Sequence, residues 1–351
     1  MPDKTRLVVC GPGLIGKKHV ELILGRADCV LVAMVGPATQ ENIAYSHRCG
    51  VSLHQSIEAA CESGAVDAVI ISSPNAFHSE QALTCIHRGL PVLVEKPLTD
   101  SLDDAAVLVR EAEARGVAAL VGHHRTYSPL LRAADSFLRS DSFGRMVCMQ
   151  GAALFYKPAH YFLDGAWRTK KGGGPILINL IHEVGLMRHF CGEIRSIYAL
   201  ASNRVRQFEV EDTVAISIEF CSGALGTFIL SDTAASSKSW EMTSGENPAY
   251  PHYPNDNCYH FSGTRGSLDF PSMVTRTYAP GADPSWWQPF DSGRLSFSPH
   301  DPLALQLEHF LEVVRGKAAP LVSLRDGYAN MQVIEAIGKS IAQREPVLVE
   351  V

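Results

Sequence analysis

Near its start the chain runs from a short apolar stretch, Leu7-Val8-Val9-Cys10, straight into Gly11-Pro12-Gly13-Leu14-Ile15-Gly16, then into a helical stretch from Lys17 to about Leu24. Few sequence features constrain a fold so tightly. In a strand–G-x-G-x-x-G–helix unit the first glycine makes the tight turn. The second lets a ligand approach the main chain, and the third lets the helix pack closely on the strand. The helix N-terminus then presents free N–H groups and the positive end of its dipole. That is the pattern for a dinucleotide pyrophosphate, with Gly11, Gly13, Leu14, Ile15 and Gly16 as candidate contacts.

The alternation continues. Val30–Val35, a short stretch near Val51, Val66–Ser72, Pro91–Val94 and Ala118–Val121 read as further strands, with helical segments such as Ser79–Arg88 and Leu102–Arg115 between them. Continuous apolar runs mark parallel strands buried on both faces. The expectation is a Rossmann-type, doubly wound parallel sheet over residues 1–122. An acidic residue usually follows the second strand of such a sheet, to hold the ribose 2′-OH of NAD. Here the chain reads Met34-Val35-Gly36-Pro37-Ala38-Thr39, with Gly36 where the acid would stand. Without a carboxylate nothing repels a 2′-phosphate, and Thr39 offers it a hydrogen bond. The cofactor is therefore read as NADP or NAD, with a lean to NADP.

Ligands in open α/β sheets bind outside the carboxyl ends of the strands. Two such ends carry polar residues: Ser72-Ser73-Pro74-Asn75-Ala76-Phe77-His78 and Glu95-Lys96-Pro97. Ser73, Pro74, Asn75, His78, Glu95 and Lys96 join the cofactor-side candidates. Lys96 follows the buried run Val92–Val94, so it is read as functional rather than as a surface charge.

The second large feature is Gly172-Gly173-Gly174-Pro175 followed by an almost wholly apolar helix through Cys191. Into that helix the sequence places Asn179, His182 and Glu183, which at i, i+3 and i+4 share one face. Buried polar groups need partners or functions, and His182 is the candidate acid/base. Before it lies a polar–aromatic segment containing Tyr156, Lys157, His160, Tyr161, Asp164, Trp167 and Arg168. Tyr161, Trp167, Arg168 and Asn179, with Arg125 in the crossing segment after the sixth strand, are the candidate substrate contacts, alongside His182. Arg145–Phe155 reads as a long strand. Val214–Phe220 and Ala224–Leu230 alternate around Gly223 as a hairpin, and short strands follow near Cys258–Phe261 and Ser267–Phe270. Trp240–Pro254 and residues 280–300 read as loops. Leu303–Val314 and Arg325–Arg344 read as helices, the latter capped by Ser323, with a last strand at Val347–Val349. The fold class is thus α/β plus α+β, with a second domain over residues 123–351 built on a largely antiparallel open sheet. The C-terminal helices have the option of packing back on the first domain.

A length of 351 residues suits two such domains. A net charge of −6, with no basic run, argues against nucleic acid or an anionic membrane as partner. No apolar run approaches the roughly 18 residues that span a bilayer. Met1-Pro2-Asp3-Lys4 leads directly toward a strand, so no signal peptide is expected. The nine cysteines form no C-x-x-C pair and read as reduced thiols of a cytoplasmic protein. The histidines, including adjacent His123 and His124, lack ligand spacing, and no metal is expected.

Taken together, Gly11–Gly16, Glu95-Lys96-Pro97 and the Gly172–His182 stretch resemble the Gfo/Idh/MocA family of glucose–fructose oxidoreductase and inositol dehydrogenase, over essentially the whole chain. The resemblance implies that Lys96 contacts nicotinamide and substrate and that the Lys96–Pro97 peptide is cis. It implies that Pro74-Asn75-Ala76-Phe77-His78 lies beside the cofactor, that His182 is the catalytic histidine, and that the sheet of the second domain forms a homodimer or homotetramer interface. One position departs: the family's Asp four residues before the histidine is Ile178 here, followed by Asn179. Lys96 and His182 are left to handle the proton. The implied activity is an NAD(P)-dependent oxidoreductase acting on a hydroxyl or carbonyl carbon of a sugar, polyol or inositol. Open alternatives are a cyclic dihydrodiol or other aromatic-catabolism intermediate as substrate, a redox-neutral enzyme with a tightly held cofactor, and a non-catalytic sensor or scaffold.

Overall fold

A computed structural model describes residues 4–350, so the expectation for Met1, Pro2 and Asp3 lies outside the described residues. The chain divides into two compact units, one running to Tyr127 and including Pro302–Met331, the other comprising Ser128–Asp301 and the residues from Gln332.

The first unit is built on six strands: β1 (Thr5–Cys10), β2 (Cys29–Val35), β3 (Ser52–His54), β4 (Ala68–Ile71), β5 (Val92–Val94) and β6 (Ala119–Val121). They form one parallel sheet in the order β3-β2-β1-β4-β5-β6. The order reverses between β1 and β4, the switch point at which such sheets bind ligands. Successive residues feed opposite faces. Val8, Cys10, Val69, Ile71, Val92 and Val94 pack with Ala105 and Leu108 of the helix Leu102–Arg115. Leu7, Val9, Ile70, Leu93 and Leu120 pack with Leu307, Phe310 and Leu311 of the helix Pro302–Val314. That helix therefore completes this unit's core. The helix Leu324–Gln343 begins with a reciprocal cap: Asp326 N donates to Ser323 Oγ at 3.2 Å, and Ser323 N donates to Asp326 Oδ2 at 2.8 Å.

The second unit carries nine strands: β7 (Met146–Leu154), β8 (Ile194–Ser202), β9 (Thr213–Phe220), β10 (Leu225–Ser231), β11 (Tyr259–Gly263), β12 (Gly266–Phe270), β13 (Val274–Thr277), β14 (Asp291–Arg294) and β15 (Val347–Leu348). Their order is β14-β13-β12-β11-β7-β10-β9-β8-β15. Every pair is antiparallel except β7 with β10. β9 and β10 alternate buried and exposed residues, so one face is core and the other open.

Two expected loops contain regular structure. Trp240–Pro254 begins with a one-turn helix, Trp240–Thr243, and the 280–300 stretch holds β14, whose residues Asp-Ser-Gly-Arg are all exposed. An edge strand with no buried face leaves no apolar periodicity to read.

The helix expected from Pro175 onward is not one α-helix. Ile176–Leu180 is a π-helical turn, and the α-helix starts at Ile181. Asn179 and Glu183 consequently serve different partners rather than one polar face. Glu183, 2% exposed, accepts a hydrogen bond from the hydroxyl of Tyr259 in the aromatic core. Tyr259→Phe removes that donor from a buried carboxylate and is expected to cost about 1–3 kcal/mol, read as a lower urea midpoint at unchanged slope. An unchanged midpoint would show that the hydroxyl contributes nothing.

Candidate active site

In the first unit the site grows from the first βα turn. Gly11 has φ +80°, and a Cβ there would lie 2.4 Å from Ser73 N. A Cβ on Gly16 would lie 2.0 Å from Gly11 O. Ser72 Oγ donates to Cys10 O at 2.7 Å, tying the turn to the end of β4. Gly13 has nothing within 4 Å of its would-be Cβ, forms the helix N-cap without a side-chain hydrogen bond, and is followed by Leu14 at 94% exposure. Open, uncapped N–H groups fit the pyrophosphate of a dinucleotide.

Gly36 lies at the end of β2, where a Cβ would come 2.9 Å from Pro12 Cδ. A side chain there collides with the glycine turn, which explains the missing acid. Thr39 caps the next helix, its Oγ accepting from Asn42 N at 3.2 Å.

At the end of β5, Glu95 is 5% exposed and accepts from His19 Nε2 at 2.9 Å. Burial pulls its pKa upward, but the His19 hydrogen bond and charge, with Lys96 nearby, outweigh this and hold the carboxyl below its ordinary range. A Cβ on Gly122 would lie 2.8 Å from that carboxyl, so glycine there makes room for it. The Lys96 N–H donates to Glu95 Oε2 at 3.3 Å, and the Lys96–Pro97 peptide is cis, the isomer the resemblance implied. His78 is 1% exposed, with Nδ1 2.8 Å from Pro97 O and Nε2 2.9 Å from Ser73 O. It braces the two polar strand ends against each other. Ser73 Oγ donates to Gln81 Oε1 at 2.7 Å, and Pro74 and Asn75 open the short helical turn that follows. Arg125 is 5% exposed, and burial, then the Arg125 charge, push neighbouring His124 down to about 4.

The second unit holds the remaining candidates. Glu211 Oε1 accepts from Ile176 N at 2.9 Å, at the start of the π turn, and Gly174 (φ +82°) leaves room for that carboxylate. Asn179 Oδ1 accepts from Lys157 Nζ at 2.7 Å, and half-buried His182 follows three residues later, in the first turn of the α-helix. The Arg168 guanidinium stacks 4.0 Å from the Tyr161 ring centroid and donates to Tyr161 O, while Trp167 is 56% exposed beside it. Burial, with the charges of Arg206 and Arg168, pushes Lys157 down to about 8 against the pull of Asp232.

Sequence reasoning placed Lys157 in the segment expected to line the substrate pocket without singling it out, and it missed His19, Arg206, Glu211 and Asp232. The last three come from loops and strand ends without a motif. His19 had one signal, a polar residue on the buried side of the first helix.

Among the described residues no group of three or more His, Cys, Asp or Glu side chains is placed to hold a metal ion. No helix among them is long and apolar enough to cross a membrane.

A parallel sheet with this glycine turn at its switch point defines a dinucleotide-binding Rossmann fold, and comparison with known proteins narrows the class. Residues 5–123 match the family model described as oxidoreductase family, NAD-binding Rossmann fold, and residues 131–269 match the GFO/IDH/MocA C-terminal domain. The chain belongs to the Gfo/Idh/MocA family. It is 25% identical over 349 residues, covering 96% of the chain and 98% of the relative, to 1,5-anhydro-D-fructose reductase of Ensifer adhaerens. It is 26% identical over 364 residues, covering 100% and 98%, to scyllo-inositol 2-dehydrogenase (NAD(+)) of Bacillus subtilis. Among solved structures, the WlbA dehydrogenase of Bordetella pertussis in complex with NADH and UDP-GlcNAcA superposes with a TM-score of 0.78 at 21% identity, over 99% of this chain and 100% of that one.

The Glu95 environment sets a pH dependence. Its folded-state pKa lies below the unfolded one, so its stabilisation is present above about pH 4.3 and is lost as pH falls through the depressed value. Glu95→Gln is expected to lower the melting temperature at pH 7, with the gap to the natural protein closing below pH ~4. A gap independent of pH would assign the loss to shape rather than charge.

Proposed function

We propose that this enzyme interconverts a hydroxyl and a carbonyl on a sugar, polyol or inositol-like substrate, with Lys96 and His182 handling the proton. The observation that carries the reading is Lys96 itself. It stands at the carboxyl end of a central strand, next to a buried ionised carboxylate, in a chain aligned end to end with a sugar-derivative reductase and an inositol dehydrogenase. Bound NAD(P) supplies the hydride donor or acceptor at its nicotinamide ring. Gly11, Gly13, Leu14, Ile15 and Gly16 hold the pyrophosphate, and Gly36 and Thr39 face the adenosine ribose. Ser73, Pro74, Asn75 and Glu95 line the nicotinamide side, with His78 as their brace.

Lys96 donates a hydrogen bond to the reacting oxygen, stabilising negative charge as it develops. His182 accepts the hydroxyl proton during oxidation and returns it during reduction, a task suited to a group with an ordinary pKa near 6.5. Arg125, Tyr161, Trp167, Arg168 and Asn179 orient the substrate.

NADP is the favoured cofactor on this reading. Pro12 leaves no room for a carboxylate at Gly36, and the Lys17 ammonium, 2.6 Å from Glu41 in an exposed pair, is free to exchange that partner for a 2′-phosphate.

The open face of the second sheet is the proposed subunit interface. Register places Leu200, Ala215, Ile229 and Ala152 in one row across four strands, with Leu200 50% and Ile229 41% exposed.

Lys96→Met and His182→Ala are expected to keep nicotinamide-cofactor affinity and lose about 10²–10⁴ in kcat with inositols and 1,5-anhydro-D-fructose. Full turnover in both variants overturns the assignment. Fluorescence titration with NADH and NADPH is expected to favour NADPH. A preference for NADH reverses the cofactor reading, and binding of neither removes the enzyme reading. Ile229→Glu is expected to halve the mass seen by light scattering, and an unchanged mass moves the interface elsewhere.

A further inference from the structure

We propose that Lys157 and Arg168, both set against the Tyr161 ring, form a carboxylate subsite, so that the substrate is an acid derivative of a sugar or polyol rather than a neutral one. The proposal rests on the oxidoreductase reading above and narrows its substrate class.

Three cations, Lys157, Arg168 and Arg206, gather around this part of the second unit. Arg206 is matched: its Nε donates to Asp232 Oδ1 at 2.7 Å, and both side chains are nearly buried. That leaves Asp232 committed, with its other oxygen 3.9 Å from Lys157 Nζ, beyond hydrogen-bond reach. Lys157 has three donors, and among the described residues one meets an acceptor, the neutral amide oxygen of Asn179 at 2.7 Å. Its side chain is 11% exposed. Its ammonium lies 4.9 Å from the Tyr161 centroid, and the Arg168 guanidinium lies 4.0 Å from the same centroid. Arg168 Nε is buried and has no acceptor among the described residues.

The acids that act here leave donors of the two without a hydrogen-bond acceptor. Asp232 is held by Arg206. Glu211 faces the main chain at Ile176, and burial pushes its carboxyl pKa upward. Glu241 acts on Lys157 through its charge, and Tyr250 through its charge on Tyr161. A purely structural lysine would bring its ammonium into hydrogen-bond contact with Asp232. Here the lysine turns to an amide and keeps donors in hand. An ammonium and a planar guanidinium sharing one aromatic ring suit a carboxylate, which accepts several charge-assisted hydrogen bonds at once. A neutral polyol offers hydroxyl acceptors to these donors but none of the charge-assisted hydrogen bonds that a carboxylate makes.

The placement also fits the chemistry. Asn179, the residue that fixes Lys157, precedes His182 by three positions, about 4.5 Å of rise along a helical axis. A carboxylate held by Lys157 and Arg168 thus suits a substrate whose acid group lies a few carbons from its carbinol carbon.

The test uses the whole protein saturated with whichever nicotinamide cofactor it binds. Calorimetry compares three acids, L-tartrate, D-gluconate and D-glucuronate, with the neutral counterparts threitol, D-glucitol and D-glucose. At pH 7 at least one acid is expected to bind about tenfold tighter than its counterpart. Lys157→Met abolishes the preference and Lys157→Arg keeps most of it. If Lys157→Met fails a thermal-melt check, Arg168→Gln gives the same readout. A bound anion favours the charged lysine, so the preference is greatest below about pH 8 and falls above it, which a merely structural lysine would not produce. The proposal is overturned if every acid binds no better than its neutral counterpart, if no acid binds, or if the preference survives in Lys157→Met. Turnover of neutral polyols with no acid preference removes the subsite and leaves the oxidoreductase reading standing. Failure to bind either cofactor removes that reading instead.

Discussion

The cofactor side of this protein depends on one close approach, the passage of the first βα turn across the end of β4. A single carbon added to Gly11 or Gly16 would run into main-chain atoms at 2.4 and 2.0 Å. Neither contact yields by rotating a side chain. With the turn pinned, the next helix starts in a fixed place, and its first N–H groups stay uncapped and open. The same rigidity reaches β2. Pro12, inside the turn, occupies the space that a side chain at residue 36 would need, at 2.9 Å. The shape of the glycine turn and the missing ribose acid are one steric fact. At residue 36 packing limits the side chain before charge does.

Buried charge is the second constraint, and the two units handle it in a common way. Glu95 is matched by His19, Glu183 by the Tyr259 hydroxyl, and Asp232 by Arg206. Such pairs are weak evidence for stability, because desolvation offsets most of the attraction. Their use here is orientation. Glu95 takes the Lys96 N–H as well as His19, so the segment carrying the lysine is anchored from below. Gly122 belongs to this arrangement, since a side chain there would press on the carboxyl.

The parallel sheet was legible because buried strands write themselves as unbroken apolar runs. Leu7–Cys10, Val92–Val94 and Ala118–Val121 all appear within a residue or two of where that rule puts them. The strand-end positions of Gly11, Gly36 and Lys96 were legible because each closely follows such a run. The second unit was less so. Asp291–Arg294 has no buried face, and the parallel pairing of β7 with β10 is a long-range choice that local pattern does not encode. The π turn at Ile176–Leu180 escaped for a similar reason, since an extra residue in a helical turn leaves an apolar sequence looking unchanged. Lys157, Arg206 and Asp232 stand far apart in the chain, and only folding makes them neighbours.

The π turn bears directly on the departure at Ile178. In a regular helix the residue four before His182 would be the place for a carboxylate, and here it is apolar. The polar contact has moved one residue along, to Asn179, and the charge Asn179 reaches is a cation, Lys157. A carboxylate beside a histidine makes the imidazole more basic, while a cation makes it less so. Here an amide leads instead to a cation, so the charge next to this part of the helix is opposite in sign to a carboxylate's. Lys157 is itself loosened by burial and by Arg168 and Arg206, so a bound anion would change the local charge as soon as it arrived. On the acid-subsite proposal, the negative charge that a carboxylate on the helix would have supplied comes in with the substrate.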